Sequence, residues 1–228
     1  WSPSDFEYAG ACGGYIDALG YPYCRGRVMG TIESDKGQYD NIAPILWATG
    51  ACLLVRANDY WQAGGLDGRF FAHQEEIDLC WRLRSRGRSI VCIPQSVVYH
   101  VGGATLNKAN PRKTYLNFRN NLLMLYKNLP ADRLDHVMRW RWLLDHVATL
   151  QLLLTGKMDD AKAIMRARRE FNSWKKDYKS VREDIQMRAT SVSGQSKDSP
   201  AMLADISILW NYYILRRKTC SQMLGQNG

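Results

Sequence analysis

The sequence predicts an α/β domain that gives way to an α-helical extension, on three observations. Between residues 49 and 129, apolar runs of strand length alternate with segments of helical period. Three carboxylates, Glu75, Glu76 and Asp78, open one of those helical segments. Beyond Pro130 the apolar spacing is helical, and the strand-like runs stop. The boundary is placed there. Residues 1–129 are the α/β part, and residues 130–228 a basic helical part with a polar linker near 190–200.

Composition supports a folded chain. Hydrophobic residues make up 46% of the 228, enough for a packed core. The formal charge of +9 is uneven, with +3 over residues 1–129 and +6 over residues 130–228. Such an excess suits anionic lipid surfaces, phosphates or nucleic acid. No groove-reading motif appears, so nucleic acid is not expected as a partner. The six cysteines form no CxxC pair. Cys52, Cys80 and Cys92 sit in apolar patterns and read as small buried hydrophobes, as in a reducing compartment. No run of apolar residues is long enough to predict a transmembrane helix. The chain opens on Trp1 rather than Met, and reads as a piece of a longer polypeptide.

The elements follow in order. Residues 1–45 are rich in Gly, Tyr, Pro and Asp, and read as loops and turns. Glu33, Asp35 and Asp40 read as solvated loop charges. TGACLLVR (Thr49–Arg56) is an apolar run and predicts a buried strand. Asn58 or Asp59 then caps a short helix that stops at Gly64-Gly65. Within the stretch Phe70–Arg84 the three acids form the first turn of a short amphipathic helix that Gly87 ends. Its acids suit the partial positive charge of a helix N-terminus. They also suit a base or a cation site. SIVCI (Ser89–Ile93) and VVYH (Val97–His100) predict two further strands. Asn110 as cap and Pro111 at the first position start a helix that runs to about Asn128. Two long helical patterns follow, Leu134–Leu154 and Asp159 to about Arg182, and then a last amphipathic segment, Ala201–Lys218. Trp140 and Trp142 interleave with Arg139 and Arg141. That pattern suits either a membrane interface or a helix packed on its own domain with snorkelling arginines.

Four stretches together resemble family 2 glycosyltransferases. They are TGACLLVR, GGLDGRFFAHQEEIDLCWRLRSRG, VVYHVGGATL and RKTYLNFRNNLLMLYKN, in that order. The likeness is to the C-terminal, acceptor-side half of the GT-A domain. The nucleotide-binding N-terminal half and its Asp-x-Asp motif are not found in this sequence. The helical part looks like an extension seen in some bacterial members.

The resemblance implies an inverting transferase of cell-envelope polysaccharide biosynthesis, with a nucleotide-sugar donor and a glycan or lipid-linked acceptor. It implies a divalent cation, Mn²⁺ or Mg²⁺, with His100 as a ligand. The family's acidic motif is usually Glu-Asp, then Asp two residues on. By position Glu76 stands where the Asp base is usual, with Glu75 the fallback and Asp78 orienting the helix or the acceptor. Thr49, Gly50, His73, Trp81, Gly102, Gly103, Arg112 and Arg119 are the substrate-binding positions the resemblance suggests. It also suggests a cytoplasmic protein at the membrane's inner face, touching lipid through residues 130–228. The alternative is a non-catalytic, membrane-associated assembly module built on the same fold.

Overall fold

Turn-forming residues punctuate the N-terminal region at short intervals, and the chain uses them to build a meander rather than the loops expected. The computed structural model describes residues 5–6, 12–98, 110–190 and 203–225. Four short antiparallel strands pair in sequence: β1 (Gly14–Ile16), β2 (Pro22–Cys24), β3 (Arg27–Val28) and β4 (Thr31–Ile32). Tyr15 faces Tyr23 across the first pair, and Arg27 faces Ile32 across the last. Gly20 closes the first turn at φ +83°, where a Cβ would lie 2.4 Å from Leu125. Only glycine lets that turn meet the helix beneath it.

Glu33 is not a solvated loop charge. It is buried, accepting hydrogen bonds from Tyr39 Oη (3.0 Å) and the Cys220 N–H (2.8 Å). The C-terminal segment returns to cover it. Asp35 and Asp40 are exposed, as expected.

The TGACLLVR segment is not a buried strand, and it opens with a turn in which the Cys52 N–H reaches the Thr49 carbonyl at 3.1 Å. Leu53 and Val55 pack partly against the cluster of Ala63, Leu79 and Leu83, while Leu54 between them is 100% exposed. No strand pairs with the segment among the described residues. An apolar run reveals an appetite for burial but not whether a neighbour exists to supply it. Cys52 is accordingly exposed, whereas Cys80 is buried. A two-stranded pair of β5 (Ala43–Pro44) and β6 (Val91–Cys92) is what remains of the SIVCI strand. Val97 and Val98 are exposed and outside any strand. Helix α1 (Ala57–Gln62) has Arg56 at its N-cap without a side-chain bond. Asp59 lies inside the first turn, paired with Arg88 at 2.9 Å.

Helix α2 (Glu75–Ser85) matches the expected span, and Gly87 leaves it at φ +78°. Helix α3 (Pro111–Asn128) begins as the sequence predicts. Asn110 accepts the Arg112 N–H at 2.9 Å, with Pro111 at the first position. Leu122 to Leu125 are fully buried and join Ile16, Trp47, Phe70 and Trp81 in the main core.

Helices α4 (Ala131–Leu154), α5 (Met158–Trp174) and α6 (Lys179–Thr190) follow. The long helix expected from Asp159 to Arg182 breaks after Trp174. The break lets Tyr178 bury and lets Arg182 donate to the carbonyls of Tyr126 and Leu129, both at 2.6 Å. Arg141 does not snorkel. It is buried, donating to Asn121 on α3 and lying 3.5 Å from Asp145, which Arg168 on α5 also contacts. The last segment is not one helix. A single wide turn, Trp210–Ile214, and the short α7 (Cys220–Leu224) pack on the meander with Tyr23 and Val28. No described helix is long and apolar enough to cross a membrane.

The result is a mixed helix-and-sheet fold with small antiparallel sheets, in which α3 is the central helix. The meander, α2, α4, α5 and α6 pack against it, and α7 lies on the meander.

Candidate active site

The approach to α2 is backbone-strained. Phe71 has φ +65° and ψ −57°, and the Ala72 N–H reaches the Phe70 carbonyl at 2.8 Å. That is a γ-turn of the rare, strained kind. His73 and Gln74 follow at φ +70° and +74°. Non-glycine residues with positive φ cost about 1–3 kcal/mol each and persist only where surrounding contacts over-determine them.

Three consecutive residues of α3 supply those contacts. The Asn120 side-chain amide fans across the carbonyls of Phe70, Ala72 and His73 at 2.8–2.9 Å. Arg119 donates to the Arg69 carbonyl at 2.9 Å. Asn121 bridges the Gly20 carbonyl (3.0 Å) and Gln74 Oε1 (3.3 Å). Arg119 is a substrate-binding position by resemblance, whereas Asn120 and Asn121 carry no expected role. The signal is three consecutive polar residues in mid-helix, immediately before the apolar run Leu122–Leu125 that enters the core.

This clamp presents Glu75 and Glu76 at the mouth of α2. Gln74, at the N-cap, makes no side-chain capping bond. Among the described residues, His73 Nε2, Glu75 Oε2 and Glu76 Oε2 are buried with no hydrogen-bond partner. An unsatisfied buried polar atom costs about 1–3 kcal/mol, so three within four residues mark a place built for something other than stability. Burial, then the neighbouring Glu75 carboxylate, pushes Glu76 up to about 7, against the pull of the Glu76 and Ile77 backbone N–H groups. Burial also raises Glu75. Burial and then Lys113 lower His73, which favours a neutral ring. The arrangement holds a carboxyl poised to trade a proton near neutral pH.

Gly50 abuts the stem of the Glu76 side chain, since a Cβ there would lie 3.8 Å from Glu76 Cβ. Thr49 beside it lines a cleft of about 980 Å³ between the Ala48–Arg56 segment and residues 88–98. Thr49, Gly50, His73, Glu75 and Glu76 therefore belong to one neighbourhood.

Asp78 and Trp81 stand apart from it. Asp78 is fully buried, and its carboxylate meets Arg82 (2.8 Å), Lys127 (2.9 Å) and Asn128 (2.8 Å). These partners outweigh burial and hold it below the usual carboxylate range. That placement fits a role in orienting α2. Trp81 is 1% exposed and sits in the main core, on the face of α2 turned to α3. Arg112 and Arg119 line a second cleft, between α3 and α5.

His100, Gly102 and Gly103 lie outside the described residues. Among the described residues no group of three or more His, Cys, Asp or Glu side chains is arranged to hold a metal ion.

Comparison with known proteins points to sugar transfer. No family model matches the chain, and no solved structure does. Among curated proteins, the chain is 42% identical over 57 residues to an N-acetylglucosaminyl-diphospho-decaprenol L-rhamnosyltransferase of Mycobacterium tuberculosis, covering 25% of this chain and 19% of that one. It is 28% identical over 133 residues to a low-salt glycan biosynthesis hexosyltransferase of Haloferax volcanii, covering 58% and 40%. It is 27% identical over 110 residues to an O-antigen biosynthesis protein of Myxococcus xanthus, covering 48% and 8%. The matched stretches thus span well under half the length of each of these relatives. Two of the three are sugar transferases by name, and the third serves O-antigen synthesis.

Proposed function

We propose that this chain is the acceptor-side part of an inverting, family 2-like glycosyltransferase with a GT-A fold. The full-length protein would move a sugar from a nucleotide-diphosphate donor to a lipid-linked or glycan acceptor in cell-envelope biosynthesis. The observation that carries the reading is the buried Glu76 Oε2, which has no hydrogen-bond partner among the described residues, at the mouth of a strained, clamped helix start. Partial likeness to sugar transferases supports it. In a single displacement the acceptor hydroxyl oxygen bonds to the anomeric carbon, and the bond from that carbon to the donor phosphate breaks. The nucleoside diphosphate leaves, and the hydroxyl proton passes to Glu76. The neighbouring Glu75 carboxylate adds to the effect of burial in raising the proton affinity of Glu76. Retaining hydrolysis needs two carboxyls on opposite sides of the scissile bond, and two side by side at one helix mouth do not offer that. Donor screening with the full-length protein tests the reading. Release of nucleoside diphosphate dependent on a glycan or lipid acceptor is expected. Failure of every nucleotide sugar to turn over would favour the non-catalytic assembly module.

A divalent cation, Mn²⁺ or Mg²⁺, is part of the proposal, with His100 as one ligand. It would stabilise charge on the departing diphosphate. His100→Ala is expected to raise the Mn²⁺ concentration for half-maximal activity by about tenfold or more, in line with losing one ligand. An unchanged Mn²⁺ titration would remove His100 from the metal.

Contact with the cytoplasmic face of a membrane is also proposed, through the outer face of α4. From Trp140 to Leu154 its only charged side chains, Arg141 and Asp145, are buried. The exposed face carries Trp140, Trp142, Leu143, Val147, Leu150 and Leu154, with Arg139 before it and Lys157 after it. Aromatic and apolar side chains flanked by cations suit an anionic lipid interface. Co-flotation with phosphatidylglycerol vesicles is expected, and Trp142→Ser with Leu150→Gln should release most of the protein. Concentration-dependent dimers without vesicle binding would assign that face to a second copy instead.

A further inference from the structure

The second cleft holds Arg112 and Arg119, two of the substrate-binding positions expected from the sequence. It lies between α3 and α5, with a volume of about 630 Å³, inside the range of about 300–1,000 Å³ usual for small-molecule sites. Five cations line it: Arg69, Arg112 and Arg119 from the first part of the chain, Lys162 and Arg166 from the extension. Asp159 is the only carboxylate of its lining, 3.9 Å from Lys162 with both side chains mostly exposed.

The cations are held in different ways. Arg119 is buried, anchored to the Tyr115 hydroxyl (2.8 Å) and 3.6 Å from Glu170. Burial first, and then Arg166 and Arg112 among its neighbours, lower its affinity for its proton. Arg112 stacks on Phe71 and Arg166 on Tyr115, each with its guanidinium carbon 4.7 Å from the ring centre. Stacking fixes a guanidinium plane and leaves its N–H edge free to donate. Among the described residues neither Arg112 nor Arg166 meets a carboxylate within ion-pair distance. Gathering like charges in a concave site costs stability, and a bound anion offsets that cost. Planar guanidinium forks match phosphate oxygens in pairs.

We propose that this cleft binds a diphosphate ester, with Arg112 and Arg166 as its principal donors and α5 of the helical extension forming one wall. The extension is then part of a ligand site and not only a packing element. The cleft shares its wall with the catalytic candidate, because Arg69 and Phe71 lie on the strained loop that leads into Glu75 and Glu76. Which diphosphate occupies it rests on the sugar-transfer reading: the lipid-linked acceptor and the nucleotide donor both carry one.

Calorimetric titration of the chain tests this with three probes: inorganic pyrophosphate, geranyl diphosphate and uridine diphosphate. Saturable, salt-sensitive binding of pyrophosphate is expected, and of at least one of the esters. Arg112→Ala with Arg166→Ala should weaken it by about tenfold or more, as loss of charge-assisted hydrogen bonds does. Both side chains are exposed, so the variant should fold, and an unchanged circular dichroism melt checks that. Arg133→Ala with Arg139→Ala removes the same charge from α4 and should leave binding intact. Tighter binding of geranyl diphosphate assigns the cleft to a lipid carrier, and tighter binding of uridine diphosphate to the donor. No saturable binding, or equal weakening by the α4 pair, overturns the proposal. Glu76→Gln should not change these titrations. The cleft and the sugar-transfer reading can therefore fail separately.

Discussion

Glu76→Gln is expected to lower sugar transfer by the full-length protein about 10²–10⁴-fold, the usual worth of a positioned general base. Nucleotide binding should be unchanged, because the carboxyl acts on the acceptor hydroxyl. The effect has a pH signature. With Glu76 titrating at about 7, kcat/KM of the wild type should rise with pH through neutrality and level off above it. The glutamine variant should lose that rising limb. Stability moves the other way. The folded state holds the Glu76 proton more tightly than the unfolded chain, whose value is about 4.5. The stabilisation from that protonated carboxyl is fully present below about 4.5 and is lost as pH rises to about 7. At pH 8 the wild type therefore carries a buried, ionised group that the variant lacks, and Glu76→Gln should melt no lower and somewhat higher. A variant that is inactive but not destabilised separates chemistry from misfolding. Glu76→Asp restores the residue usual in the resembled family, and should keep part of the activity and the limb. Full activity in Glu76→Gln would move the base to Glu75 or elsewhere.

The α2 and α3 spans were legible because their signals are local: an acidic first turn before an apolar stripe, and an Asn-Pro start. The meander was not, because strands of two and three residues leave no periodicity to read. The Thr49–Arg56 segment misled for a different reason. Its apolar run records that something packs against it, and Leu53 and Val55 do pack on the Leu79 cluster, but sequence does not say whether the other face is covered. At the site, the acids stood out by composition. What makes them a site is not local. The strain at Phe71, His73 and Gln74 and the clamp from Asn120 join residues about fifty positions apart. Arg141 shows the same limit. Between two tryptophans it reads as a surface cation, and only the arrival of α3 and α5 explains its burial.

Asp78→Ala is expected to destabilise the fold by about 3–5 kcal/mol, the cost of leaving buried charges unpaired. Its carboxylate is the meeting point of Arg82 on the same helix and of Lys127 and Asn128 on α3. Lys127 is itself only 2% exposed in its side chain and would retain Asp67, at 2.8 Å, as its one carboxylate. Arg82 would keep the Ala63 and Gly65 carbonyls but no counter-charge. The pH dependence follows from the depressed folded value of Asp78. Its stabilisation is present above the unfolded value of about 3.8 and is lost only as pH falls through the lower folded one. Urea unfolding at pH 7 and at pH 5 should therefore give the same loss for Asp78→Ala. A difference from wild type below about 0.5 kcal/mol would show that the network is not holding α2. The same network has a catalytic consequence. It ties the first turn of α2 to α3, and α3 carries the Asn120 clamp on the loop that presents Glu76. Asp78→Asn, which keeps the shape but not the charge, should slow transfer while retaining the rising pH limb. A positioning residue and a base are told apart in that way, because only loss of Glu76 removes the titration itself.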